Sequence, residues 1–544
     1  MSGEGWLALG LLAFAIVLFV TEWLRVDVVG LLVLSALALT GLVNPQEALA
    51  GFSSPAVVTV WAMFILSAGL TRTGIAHRLG QPLQRFTKRS EAMLIAALMV
   101  AASLLSALIN TVTVTAILLP ATMELSRRSG RPASRLLMPL ALGCLLGGPF
   151  TGISTPPNIL VTDALRAAGL RPFGIFEFTP ITAAIVLSGV VFVVLVGRRL
   201  LTASDAGVGD DARRLLAASY QLDTHIFAIR IPRTSPLSGR TLSESRLGSA
   251  LHLTVLALQR KGLLTLALRP GEVLQAEDLL IVHGHPDHLR RFHVRQHLQT
   301  EPIDPFHDLV PLQFGDALLV YGQRSNLEVL AQDPDFIVLD EAAARAPRLE
   351  KASVAAAIMV AVLLSAILGF VPIAIAGLSG AALMILFGCL SMEEAYRAIE
   401  WKVVFLIAGM LPLGAAIENT GVAQMGAAAL IAAVGDLGTR WVVAALFMVT
   451  VLATQIVPTA ALVVLMAPVA LGTAGTLGVS PHLLMMTVAI AASSSFASPL
   501  SHPAHLLVMG PGGYRFTDYL KVGVPLTLVI FCVSVWLLPI LWPP

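Results

Sequence analysis

Four short stretches set polar side chains inside long apolar runs: Asn110-Thr111, Gly152-Ile-Ser-Thr-Pro-Pro-Asn158, Pro458-Thr459 and Ser498-Pro-Leu-Ser-His-Pro-Ala-His505. In the second and fourth, prolines remove helix N–H donors and free carbonyls one turn back. Freed carbonyls can coordinate a cation, and the free N–H groups at a half-helix N-terminus attract an anion. His502 and His505 add side chains that titrate near neutral pH and can carry a coupled proton. Each stretch also has a plainer reading. Asn110 and Thr111 can cap a half-helix, Asn158 can satisfy backbone released by the prolines, and the histidines can be structural hydrogen-bond partners. The Ser493-Ser-Ser495 run can serve close helix packing, and Arg515 can anchor a loop. No phosphate loop, catalytic triad or metal-spaced cluster accompanies them, so an enzyme has no support. His283, His285 and His288 fall in a charged loop after a strand and are not read as a metal site.

The elements that carry these stretches read as membrane helices. Of the 544 residues, 56% are hydrophobic and 12% charged, against about 25% charged in soluble domains. A net charge of +2 gives no footing for nucleic acid, and Cys144, Cys389 and Cys532 lie in apolar runs as small hydrophobes. Spans are expected at about 5–22, 26–43 and 54–71, the first retained for want of a small-residue cleavage site. Glu22, Arg25, Glu400 and Glu418 mark span ends. A basic stretch with Arg72, Arg78, Arg85, Lys88 and Arg89 follows. A second, with Arg127, Arg128, Arg131 and Arg135, lies beyond the apolar residues 92–121. Both favour the cytoplasm. Residues 92–121 must then enter and return on one side, as a re-entrant hairpin with its tip near Asn110-Thr111. A broken span at 137–162 and a further span at 180–197 complete this half. The parity puts both termini outside and the middle of the chain in the cytoplasm.

The second half repeats the first. Gly30, Gly41, Glu47, Thr73 and Gly74 match Gly377, Gly388, Glu394, Thr420 and Gly421 at an offset of 347. At the hairpin the offset is 348, where Asn110-Thr111 and Pro120 face Pro458-Thr459 and Pro468. It returns to 347 at the break, where Pro156 to Val161 faces Pro503 to Val508. The second copy starts on the opposite side and is inverted, so its hairpin, 441–470, opens outward. Inverted repeats with paired broken elements point to a secondary transporter whose site lies near the midplane. The expected fold is an all-α polytopic membrane protein of two inverted repeats, 1–198 and 351–544. Each carries a re-entrant hairpin and a broken helix, and a small α/β cytoplasmic domain, 199–350, is inserted between them.

At these tips and breaks the chain resembles the divalent anion:sodium symporter family, within the ion transporter superfamily. That family carries Ser-Asn-Thr at each hairpin tip and a Gly-Thr-Pro-type break in each following helix. The tail Gly510-Pro-Gly-Gly-Tyr-Arg-Phe-Thr-Asp-Tyr-Leu-Lys-Val-Gly523 resembles its sulfate-transporter branch. The insert is similar to the C-terminal domain of TrkA-type potassium-uptake regulators. It carries Ser235-Pro-Leu-Ser-Gly-Arg-Thr-Leu242, a strand-like Leu253 to Leu258, and Leu274 to Gly284, a phrase that returns at Leu312 to Gly322. One full copy is expected at 215–290 and a degenerate one at 291–340.

The resemblance implies an elevator-type symporter of a small divalent anion. Sodium-driven sulfate uptake comes first and a dicarboxylate second. It implies a homodimer in the inner membrane, sodium as coupling ion, no organic cofactor, and a regulatory ligand on the insert. Sodium is expected at Asn110, Gly152, Ser154 and Asn158, and anion contacts at Thr111, Thr155, Thr459 and Ser501. At the second site Pro458 and His505 stand where the family has asparagine. His502 and His505 therefore keep open a proton-coupled carrier or an anion exchanger. A channel gated by the insert is a third reading, but the Thr-Val-Gly-Tyr-Gly filter of potassium channels is absent from the sequence.

Overall fold

The computed structural model describes residues 3–21, 23–75, 90–201, 348–499 and 501–543, with segments 226–230, 239–241, 254–260, 263–266, 273–275, 278–283 and 299–301 of the insert. Each apolar run forms a helix, and polar or special residues set its ends. In the first repeat α1 is Gly3–Thr21 and α2 is Val26–Thr40, closed by left-handed Gly41. The short α3, Pro45–Ala50, begins with a capping box of Asn44 and Glu47. Ser54 caps α4, Pro55–Arg72. The hairpin arms are α5, Glu91–Ser106, and α6, Thr111–Ser129. The broken span is α7, Ser134–Gly147, and α8, Pro156–Ala167. Then α9, Thr179–Phe192, runs on through a π turn, Val193–Gly197, to Leu200.

The second repeat supplies α10 Ala352–Ile367, α11 Ile373–Leu386, α12 Met392–Ala398, α13 Trp401–Asn419 and α14 Val422–Val434. Its hairpin is α15 Thr439–Ala453 with α16 Thr459–Leu477. Its broken span is α17 Pro481–Ala492 with α18 Pro503–Gly512, followed by α19 Phe516–Leu541. Among the described residues, seven helices are long and apolar enough to cross a membrane.

The repeat visible in sequence extends to caps and turns. The Asn44–Glu47 capping box returns 347 residues later as Ser391–Glu394. Left-handed Gly41 and Gly74 return as Gly388 and Gly421, and Gly130 returns as Gly478 at 348. The pattern fails after the breaks: residues 168–178 link α8 to α9, whereas 513–515 link α18 to α19.

Packing follows the same symmetry. Helix α2 packs on α13 as α11 packs on α4, and each hairpin packs on the other repeat's broken span, α6 on α18 and α16 on α8. Connectors that the parity assigns to one side meet one another. Arg72 at the end of α4 pairs with Glu394 at 2.8 Å, and Arg348, before α10, pairs with Glu394 at 3.2 Å. Arg135 pairs with Glu91 at 3.3 Å. On the other side, His482 Nε2 lies 2.8 Å from Arg171 O.

One expectation changes. The first hairpin does not end at 121, because α6 continues to Ser129 and places 127 and 128 in a helix rather than a loop. An Arg128–Glu124 pair at 2.6 Å, one turn apart on an exposed face, suits this projecting end. Arg25, Glu400 and Glu418 do sit at helix ends, whereas Glu22, Arg78, Arg85, Lys88 and Arg89 lie outside the described residues.

The contacts divide the chain into a unit of Met1–Asp205 with Leu339–Pro544 and a unit of Ala206–Val338. The second holds an antiparallel sheet of order β3-β2-β4-β1-β5, from β1 Ile226–Arg230, β2 Thr254–Arg260, β3 Leu263–Leu266, β4 Leu279–His283 and β5 Gln299–Glu301. Gly239, in a left-handed turn, donates to Leu274 O at 2.8 Å, and Leu274 donates back to Arg240 O at 2.9 Å. The Gly-Arg pair thus meets Leu274 through backbone hydrogen bonds. Of the expected second copy, 291–340, only β5 is among the described residues, and its phrase at 312–322 lies outside them.

Candidate functional site

Pro156 and Pro157 open α8 without N–H donors, so the carbonyls before them need other partners. Side chains provide them. Ser154 Oγ donates to Gly148 O and lies 3.0 Å from Thr151 O. Asn158 Nδ2 donates to Pro149 O at 3.1 Å and to Thr151 O at 2.8 Å. From α9, Thr182 Oγ1 donates to Pro149 O and Thr179 Oγ1 to Phe150 O. With both amide protons of Asn158 committed, its Oδ1 keeps its lone pairs. That atom is buried and has no hydrogen-bond partner among the described residues, and Thr155 Oγ1 is in the same state. An acceptor left this way costs about 1–3 kcal/mol unless something fills its shell.

The first hairpin tip closes over this break. Thr151 Oγ1 donates to Ala107 O at 2.8 Å, and Ser106 Oγ donates to Thr111 Oγ1 at 3.2 Å. A Cβ on Gly148 would lie 3.1 Å from Thr155 Cγ2 and 3.4 Å from Thr111 Oγ1. Thr111, Thr155, Ser154 and Asn158 therefore converge on residues 148–151. Asn110 sits at the tip, but its Oδ1 caps α6 by accepting from Val112 N at 2.8 Å. Its N–H donates to Ser67 Oγ of α4 at 3.0 Å. Gly152 is turned toward the following link, its N–H on Ile175 O at 2.7 Å.

The second break repeats the first bond for bond where the side chains allow. Ser501 Oγ reaches Ser495 O at 2.9 Å and Ser498 O at 2.6 Å, the 347-residue counterparts of the Ser154 partners. A hydroxyl has one proton, and in both serines it lies on a break carbonyl, so lone pairs remain for a ligand. His502 Nδ1 accepts from Ala504 N at 3.2 Å and caps α18. His505 holds the place of Asn158 and is fully buried, edge-on to Tyr519 at 5.0 Å. Ser493 and Ser494 bond back to Ala489 O and Ile490 O within α17. Thr459 opens α16, half-buried behind Pro458.

Sequence reasoning missed Ser67, Ser106, Thr151, Thr179 and Thr182, all of which tie tip, break and neighbouring helices together.

A protein-family profile described as citrate transporter (CitMHS) matches residues 16–491. An uncharacterized transporter of Synechocystis sp. is 34% identical over 96% of this chain and 95% of its own length. Uncharacterized transporter YfbS of Escherichia coli is 31% identical over 100% of both chains. Sodium/sulfate cotransporter 1 of Chlamydomonas reinhardtii is 27% identical over 53% of this chain and 32% of its own length. With the profile spanning most of the residues and two transporters aligned nearly end to end, the chain belongs to the citrate transporter family and is a multi-pass membrane transporter, not an enzyme.

Proposed function

We propose that this protein is a sodium-coupled symporter of a small divalent anion, with sulfate as the first substrate and a dicarboxylate as the second. The observation that carries the cation half is Asn158. Its Oδ1 is buried, aimed by two hydrogen bonds from its own amide, and without a partner among the described residues. A cation is the ligand that such an acceptor and the adjacent lone pairs of Ser154 accommodate. Asn110 shapes the site as a cap, and Gly152 contributes backbone. Thr111, Thr155 and Thr459 sit at or beside half-helix N-termini and offer donors to the anion. Ser501 groups with Ser154 on the cation side, because its proton is committed. The resemblance to sodium/sulfate cotransporters over half the chain supports the same substrate class. The basic stretches support a cytoplasmic insert, 199–350, with both termini outside, and the family resemblance supports a homodimer. A regulatory ligand on the insert belongs to the same reading.

The test is uptake of radiolabelled sulfate into proteoliposomes, with an inward sodium gradient or an inward proton gradient, and unlabelled succinate and citrate as competitors. Sodium-driven uptake is expected. A second reading, proton coupling, is favoured by the buried His505 at the counterpart of Asn158. Uptake driven by protons alone and lost in His505→Ala would replace sodium with a proton. No sulfate uptake under either gradient would refute the substrate.

A further inference from the structure

The link after α18 carries an arrangement that the site does not use. Gly513 turns left-handed at φ 63, and the N–H of Tyr514 closes on Met509 O at 3.0 Å. A Cβ on Gly512 would overlap the Tyr514 ring, so that ring folds back across the helix end and is buried. Its hydroxyl donates to Ser134 O and accepts from Met138 N at 2.7 Å. Those two groups are the ones an undisturbed α-helix joins to each other. Here a phenol from the second repeat bridges them in the first turn of α7. Pro139 comes next and removes the following ladder donor. Behind Tyr514, Tyr519 stands edge-on at 5.9 Å, and its hydroxyl donates to His505 O at 2.8 Å. A line of side chains therefore runs from the second break to the broken helix of the first repeat.

The opposite side holds the inverted counterpart. His482, in the first turn of α17, is 347 residues after Arg135 in the first turn of α7. It meets Arg171 O of the 168–178 link, with its ring edge-on to Phe173 at 5.3 Å. That tie is exposed, whereas the Tyr514 tie is buried.

We propose that Tyr514 is a positioning residue that locks the two broken helices together by bridging the first turn of α7 from the end of α18. The two breaks then keep a fixed mutual geometry through the transport cycle. The proposal rests on the transporter reading given above. Its test uses Tyr514→Phe in the full-length protein, which keeps the ring and removes the bridge. Amide exchange by mass spectrometry is expected to quicken about tenfold in both 134–142 and 503–512, the scale of one buried hydrogen bond. The maximal rate of sodium-driven sulfate uptake is expected to fall about tenfold with KM unchanged, because a loosened unit crosses less often in a productive geometry. Unchanged exchange overturns the proposal, as does faster exchange in 134–142 alone. A raised KM at unchanged maximal rate overturns it too, since that result places Tyr514 in the binding site. If Tyr514→Phe does not fold, Gly512→Ala, which displaces the ring and spares the hydroxyl, is read by the same two assays. If the unaltered protein carries no sulfate, the substrate reading fails by itself, and the paired exchange data still decide whether the tie exists.

Discussion

At the scale of single residues, Asn158 joins fold and chemistry. Its amide protons hold the break in shape, and its oxygen is buried without a partner among the described residues. Asn158→Ala is expected to raise the sodium concentration for half-maximal uptake by about tenfold or more, the scale of one lost polar contact. A sodium titration of sulfate uptake reads it, and an unchanged titration would refute the assignment. Asn158 was legible as a partner for backbone released by the two prolines, the role its amide protons take. Asn110 was legible as a tip residue, yet its side chain works as a cap. Ser67, Thr151, Thr179 and Thr182 were not legible. Isolated Ser and Thr in apolar helices usually bond to their own i−4 carbonyl, as Thr115, Thr450 and Thr473 do. Which hydroxyls reach across to another element depends on packing that no local pattern reveals.

Between elements, close approach replaces hydrogen bonding as the specifying force. A Cβ on Gly147 would overlap the Ser103 backbone, so α7 and α5 meet where only glycine fits. Ser103 Oγ seals the contact on Gly143 O at 2.7 Å. Gly147→Ala is expected to destabilise the protein by about 1–3 kcal/mol through overpacking. Gly152→Ala, whose new Cβ would find its nearest atoms at 3.5 Å, is expected to melt near the unaltered protein. Thermal unfolding in detergent compares the two, and equal melting temperatures would refute the packing argument. The hairpins, breaks and inverted order were legible because an offset of 347 to 348 residues holds from Gly30 to Val508. The end of α6 was not, since arginines that favour a loop also tolerate an exposed helical turn paired with Glu124.

For the whole molecule, Glu394 gathers the end of α4, the start of α10 and the α11–α12 connector. Burial pushes its carboxyl up, but the Ser391 N–H and the guanidinium groups of Arg72 and Arg348 outweigh this and hold it below the usual carboxylate range. Glu394→Gln is expected to cost about 2 kcal/mol, the scale of charge-assisted hydrogen bonds. Because the folded carboxyl titrates lower than the unfolded one, its contribution is full above the unfolded value of about 4.3. It is lost as pH falls through the folded value. The melting difference between the two proteins should therefore be constant at neutral pH and shrink in acid. A difference that grows in acid would reverse the sign and sink the assignment. The two links after the breaks set a further bound. At about 3.8 Å per Cα step, Ala167 and Thr179 can separate by up to about 45 Å, but Gly512 and Phe516 by only about 15 Å. One end of the machine has slack and the other is leashed. Any stroke that parts α18 from α19 stops at the length of that three-residue tether, so longer travel must carry α19 along.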